Sequence, residues 1–172
     1  MAMGHDGDPG PRLTPAPHAA PADASAPATG PADVLVVEDS PEDFVAIQRT
    51  LRKLGLQGDI NQFEEGESFV DHLRDRLERR QTLPNLVLLD LNMPGADGRE
   101  VLVEIEAEPA LAGRFPIVVL TTSKSADDAE FCAAHGATSY MTKPVGLKSL
   151  EGCLRHVLDY LKEGAPIPPR CS

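Results

Sequence analysis

Cysteine is scarce in this chain. Cys132, Cys153 and Cys171 form an odd set with no CxxC or metal-ligand spacing, which excludes a disulfide framework and a thiolate metal site and points to a reducing compartment. All three read as structural or incidental. Positive charge is also scarce: 16 Lys and Arg stand against 27 Asp and Glu, a net charge of −11 that repels phosphate backbones and anionic lipid headgroups. No nucleic acid and no membrane are therefore expected as partners. No apolar run approaches the ~18 residues of a transmembrane helix, and the N-terminus lacks the apolar core of a signal peptide, so a cytoplasmic protein is expected. Glycine-rich nucleotide cradles are missing too: there is no GxxxxGK[ST], and the first apolar run leads into Glu-Asp-Ser-Pro rather than GxGxxG.

What remains is enough for one core. The 172 residues are 41% hydrophobic and 25% charged, the balance of a single globular domain with appendages. Residues 1–32 hold nine Ala, seven Pro and four Gly but only Met1, Met3 and Leu13 as sizeable apolar groups, so they predict a disordered leader. Residues 163–172, with Pro166, Pro168 and Pro169, predict a disordered tail. The domain is expected over 33–162, with no internal repeat.

Within it, short apolar runs alternate with stretches of helical period, the pattern of a parallel sheet with helical crossovers. The runs are Val34–Val37, a short strand near Asp59–Phe63, Leu86–Leu89, Ile117–Leu120 and about Thr138–Met141. Leu86–Leu89 is apolar at every position, as befits a central strand covered on both faces. Ser40 as N-cap, Pro41 at the first helical position and Asp43 three residues past the cap start the first helix, with Phe44, Ile47, Leu51 and Leu54 on its buried face. In the second helix, Arg74/Glu78 and Asp75/Arg79 are spaced as solvent-side ion pairs. A long final helix carries Leu147, Leu150, Leu154, Val157, Leu158 and Leu161 on one face. The expected fold is α/β: a doubly wound five-stranded parallel sheet, order 2-1-3-4-5 (flavodoxin-like), with five helices.

Ligands of such sheets bind beyond the carboxyl ends of the strands. The residues there are Glu38 and Asp39 after the first strand, Asp90 after the third, Thr121 after the fourth and Lys143 after the fifth. Crowded carboxylates need a cation to remain ionised together, and an all-oxygen set favours Mg²⁺ or Mn²⁺ over zinc. An open metal position beside a carboxylate suggests phosphoryl chemistry: a carboxylate becomes an aspartyl phosphate, the metal and a lysine neutralise its oxygens, and Thr121 donates to it. Each group also has a plainer explanation. Glu38-Asp39 suits a helix dipole, Asp90 resembles a Walker B or ribose-binding acid without its glycine-rich partner, and Lys143 and Tyr140 could be an ordinary loop lysine and strand aromatic. The joint pattern at successive strand ends outweighs these.

The same residues resemble the receiver domain of two-component response regulators, from Val34 to about Leu161. Val-Val-Glu-Asp-Ser is similar to that family's acidic opening. Asp90-Leu91-Asn92-Met93-Pro94-Gly95-Ala96-Asp97-Gly98 is similar to its phosphoacceptor loop. Ile117–Thr121 resembles the strand ending in its switch hydroxyl, and Tyr140-Met141-Thr142-Lys143-Pro144 its switch aromatic and phosphate-binding lysine. The resemblance implies Asp90 as phosphoacceptor, with Thr121 and Lys143 binding the phosphoryl group. It implies Glu38, Asp39, Asp90 and the Asn92 backbone carbonyl at the Mg²⁺ site, a Tyr140 that turns inward, and a cis peptide at Pro144. Asn92, Thr122 and Ser123 sit where family members tune phosphate lifetime, and the methyl of Thr122 could crowd the route to the phosphoryl group.

A sensor histidine kinase is the implied donor, and the chain is expected to be a stand-alone switch with slow self-phosphorylation and autodephosphorylation rather than an enzyme. An unknown downstream protein would receive the signal. Similarity to the branch paired with bacterial phytochrome kinases suggests that kind of partner, and either a monomer or a homodimer through the helix-four to helix-five face. Two other readings remain: a Mg²⁺-dependent phosphatase of the haloacid dehalogenase type, whose nucleophile however follows the first strand in a DxD motif, and a pseudo-receiver that binds partners without phosphorylation.

Overall fold

The computed structural model describes residues 30–167 and 170–171; the expected leader, apart from its last three residues, lies outside them. Strands β1 (Ala32–Val37), β2 (Gly58–Phe63), β3 (Leu86–Leu89), β6 (Ile117–Thr121) and β7 (Ser139–Thr142) pair in parallel in the order β2-β1-β3-β6-β7, as the alternation of apolar runs predicts. Between β3 and β6, the two-residue strands β4 (Asn92–Met93) and β5 (Ala96–Asp97) form a small antiparallel hairpin.

The helices are α1 (Pro41–Lys53), α2 (Gly66–Glu78), α3 (Gly98–Ala107), α4 (Ala126–Ala134) and α5 (Leu147–Glu163). None of them is long and apolar enough to cross a membrane. Local chemistry sets their starts. The Ser40 hydroxyl accepts from the Asp43 amide at 3.2 Å with Pro41 in the first turn, and Asp97 and Ser125 cap α3 and α4 in the same way.

Because side chains alternate across a strand, each central strand feeds two cores. Leu35, Val37, Val87, Leu89 and Val119 pack with Phe69, Leu73, Leu102 and Cys132 from α2, α3 and α4. Val34, Val36, Leu86, Leu88, Val118 and Leu120 pack with Ile47 and Leu51 of α1 and with Leu154, Val157 and Leu158 of α5. Burial on both faces is why these strands are apolar throughout.

Three expectations need correction. The tail is structured over part of its length: α5 runs through Glu163, Ile167 is buried in the α1/α5 core, and β8 (Arg170–Cys171) pairs in parallel with Tyr140–Met141. Ile167, an apolar group among prolines, has an open end of that core to fill. The Lys143–Pro144 peptide is trans, since no cis bond occurs among the described residues. Trans is the lower-energy isomer of an X–Pro bond, and the chain reverses into α5 at Gly146, whose φ of 107° glycine alone adopts readily. Arg79 does pair with Asp75 at 2.8 Å, but Arg74 reaches instead to Glu108, the residue that ends α3, at 3.0 Å. The α2–α3 packing brings a second acid within its reach.

Candidate functional site

The carboxyl ends of β1, β3, β6 and β7 open on one cleft. Glu38, Asp90 and Thr121 are buried there, Thr121 completely, and Asp39 is half-buried. Lys143 reaches in from the end of β7. Its ammonium donates to Glu38 Oε2 at 2.5 Å, to Asp43 Oδ2 at 2.8 Å and to Asp90 Oδ2 at 2.9 Å. Six residues separated by up to 105 positions thus share a single polar centre.

Charge is out of balance in this centre. Burial pushes the Glu38 carboxyl up to about 7, against the pull of Lys143 and of the Ser40 amide that donates to it. Burial alone would lower the Lys143 ammonium, yet Asp43, Glu38 and Asp90 hold it well above the ordinary lysine range. One lysine therefore faces the carboxylates of Glu38, Asp39, Asp43 and Asp90. One oxygen each from Glu38, Asp39 and Asp90 lies within 4.8 Å of the others, a spacing and donor set that fit a hard divalent cation such as Mg²⁺ or Mn²⁺.

The phosphoacceptor-like loop is fixed by close contacts. The Asn92 amide donates to Asp90 Oδ1 at 3.1 Å, and its side-chain nitrogen donates to the Thr121 and Thr122 hydroxyls at 3.1 and 3.2 Å. Gly98 at the start of α3 lies against the same loop: a Cβ there would come within 2.3 Å of the Asp90 carbonyl oxygen, so no larger residue fits without moving the backbone. Tyr140 is already inward, buried, with its hydroxyl donating to the Ser123 carbonyl at 2.9 Å.

A family model described as the response regulator receiver domain matches residues 34–155. The chain belongs to that family. Among proteins similar to this receiver, the response regulator Rcp1 of Synechocystis is 35% identical over 139 residues, covering 80% of this chain and 94% of its own. A probable methanogenesis regulatory protein, FilR2 of Methanothrix harundinacea, is 35% identical over 130 residues, covering 76% of this chain and 83% of its own. Among solved structures, the phosphorylated cyanobacterial phytochrome response regulator RcpA superposes with a TM-score of 0.71 at 31% identity, covering 81% of this chain and 99% of its own. The Mn²⁺-bound form of Rcp1 superposes at 0.69, covering 80% and 99%. This receiver therefore belongs to two-component signal transduction, and the haloacid dehalogenase reading falls.

Receiver domains hold Mg²⁺ or Mn²⁺ in an acidic pocket, and the carboxylate cluster stands where that pocket is. Glu38, Asp39, Asp90, Asn92, Thr121, Thr122 and Lys143 come together at these strand ends, Ser123 follows in the adjoining loop and holds the buried Tyr140, and Pro144 borders the groove beside Lys143 with a trans rather than the expected cis bond. Asp43, Asp97, Arg99 and Asp128 were not singled out as site residues. Asp43 reads as the capping-box acid of α1, yet that third position past the Ser40 cap also brings its carboxylate to Lys143. Arg99 and Asp128 are separated by 29 residues and meet only through the packing of α3 against α4.

Proposed function

We propose that the protein is a phosphorylation switch in which Asp90 accepts a phosphoryl group from a sensor histidine kinase. The observation that carries this reading is the convergence of Asp90, Lys143 and Thr121 beside an acidic cluster suited to a divalent ion. In the transfer, an Asp90 carboxylate oxygen attacks the phosphorus of the kinase phosphohistidine. The O–P bond forms as the P–N bond breaks, and the imidazole leaves with its electron pair. Glu38, Asp39, Asp90 and the Asn92 carbonyl would hold a Mg²⁺, which would supply charge neutralisation for the phosphoryl oxygens. Lys143 exchanges its contact with Asp90 for a phosphoryl oxygen, and Thr121 donates its hydroxyl proton to another. Asn92, Thr122 and Ser123 border the path of the hydrolytic water and set the phosphate lifetime.

The kinase must reach a shallow cleft. Beside Lys143 lies an apolar groove formed by Ala46, Ile47, Pro144, Leu147 and Leu150, with Val145 fully exposed at its rim. That surface suits the apolar face of a partner helix. The likeness to the phytochrome response regulator RcpA and to the bacteriophytochrome response regulators AtBRR and RtBRR supports a bacterial phytochrome as the cognate sensor. The output is binding of a downstream protein, or a homodimer through α4 and α5.

Intact mass measured with Mg²⁺ and acetyl phosphate, on wild type beside Asp90→Asn, tests the reading. One labile phosphoryl adduct in the wild type alone supports it. A folded wild type that takes neither acetyl phosphate nor beryllofluoride overturns it in favour of a pseudo-receiver.

A further inference from the structure

The loop between β6 and α4 is tied down by a chain of contacts that the phosphorylation chemistry does not itself require. Ser123 is its hub. The Ser123 amide donates to Thr121 Oγ1 at 3.3 Å, its hydroxyl donates to Asp128 Oδ2 at 2.5 Å, and its carbonyl accepts from Tyr140. Asp128, in the first turn of α4, accepts on its other oxygen from Arg99 Nη2 at 2.5 Å and Nε at 3.2 Å. Arg99 Nη1 in turn grips both oxygens of Asp97, the cap of α3, at 2.9 and 3.1 Å. Gly98 then returns the path to the Asp90 carbonyl, with which its backbone is in close contact. Both ends of the ring are thus attached to the site, one at Thr121 and the other at Asp90.

Hydrogen-bond capacity gives this ring a chemical consequence. A hydroxyl has two lone pairs and one proton. Thr121 Oγ1 already accepts from Asn92 and from Ser123, so its own proton is left for an incoming acceptor. The Ser123 carbonyl holds the Tyr140 hydroxyl, which keeps the aromatic ring inward. Arg99 and Asp128 are both largely shielded, with side chains 28% and 17% exposed, so their ion pair is stronger than a solvent-facing one.

We propose that Arg99 and Asp128 are positioning residues: through Ser123 they hold Thr121 and Tyr140 in the inward, donor-ready arrangement before a phosphoryl group arrives. Without them the loop spends time in states in which Thr121 and Tyr140 are not so placed. Apparent affinity for a phosphoryl group then falls by the fraction of competent molecules. The proposal rests on the phosphoacceptor reading of Asp90 for its effect, though not for its geometry.

The test uses the full chain in a Tyr160→Phe background, which leaves Tyr140 as the single tyrosine of a protein without tryptophan. Beryllofluoride binding, Mn²⁺ binding and acrylamide quenching of Tyr140 fluorescence are measured for Arg99→Ala, Asp128→Asn and Ser123→Ala. The last removes only a hydroxyl and keeps the test open if a charge variant fails to fold. Each variant is expected to weaken beryllofluoride about tenfold and leave Mn²⁺ affinity within about twofold, because the carboxylate cluster is untouched. Quenching should increase in the unliganded variants and return toward wild type at saturating beryllofluoride. Arg99→Ala combined with Asp128→Asn should be no worse than the poorer single variant.

Folded variants with wild-type beryllofluoride affinity and wild-type quenching would overturn the clamp, as would additive effects or an equal loss of Mn²⁺ binding. If the wild type itself ignored beryllofluoride, the phosphoacceptor reading would fail. The clamp would then stand or fall on Tyr140 quenching in the unliganded variants alone.

Discussion

The two ends of the parallel sheet solve opposite electrostatic problems. At the carboxyl end, Glu38, Asp43 and Asp90 share one lysine, and Asp39 adds a fourth carboxylate beside Glu38 and Asp90. At the amino end, Asp33 of β1 meets Arg76 of α2 at 2.5 Å, and Arg76 also donates to the Thr82 carbonyl and to His72 Nε2. Asn85 accepts from the Asp33 amide and donates its own amide to the Asp33 carbonyl, pinning the start of β3 to β1. Charges there cancel in pairs and the backbone is matched; one Asp33 oxygen is left without a partner. The amino end is organised for stability, whereas the carboxyl end carries an excess of negative charge that a folded chain would avoid unless a cation used it.

Substitutions at the two ends should therefore move stability in opposite directions. The largest effect is expected at the amino end: Asp33→Ala strands the mostly buried Arg76 guanidinium and should cost about 2–3 kcal/mol in urea unfolding. A loss under about 0.5 kcal/mol would mean that Arg76 finds water or Thr82 as sufficient replacement. At the carboxyl end, Asp39→Asn removes one of the crowded charges. Metal-free protein should become more stable by roughly 0.5–1 kcal/mol, while Mg²⁺ affinity falls about tenfold by calorimetry. A destabilised Asp39→Asn would show that the cluster is already balanced without a metal, and the contrast between the ends would collapse.

Much of this contrast was legible in the chain because its signals are local. Val34–Val37 and Leu86–Leu89 declare central strands by composition, and Glu38, Asp39, Asp90, Thr121 and Lys143 each follow such a run. The amino-end cluster gives no comparable signal: Asp33, His72, Arg76 and Asn85 look like ordinary surface polar groups until α2 packs across β1. The Arg99–Asp128 pair was hidden for the same reason, since it exists only when α3 and α4 are neighbours. Ile167 was masked by composition, because one apolar side chain among prolines carries little weight in a window average. The trans Lys143–Pro144 bond corrects an expectation that came from family likeness rather than from these residues.

The smallest effects are expected from protons, and they too should differ in sign between the ends. Glu38 has its folded-state value raised to about 7 from an ordinary 4.5, so the fold binds this proton more tightly than the unfolded chain does. Its contribution grows as pH falls through 7 and is complete below 4.5. Burial and the Arg76 charge lower His72 from its ordinary 6.5. The neutral ring, accepting from Arg76, supports the fold above pH 6.5, and that support is lost as pH falls through the lowered folded-state value. In metal-free protein with chelator present, Glu38→Gln should therefore lose stability relative to wild type as pH falls from about 7 to about 5, an interval between the raised and ordinary values of Glu38 that also spans the ordinary value of His72. His72→Gln, which keeps an acceptor for Arg76, should gain relative to wild type over the same interval. Saturating Mg²⁺ should abolish only the Glu38 difference, because a bound cation keeps that carboxylate ionised. Parallel pH profiles for wild type and both variants would show that neither group titrates with folding in this range, leaving the contrast between the two ends one of pairing alone.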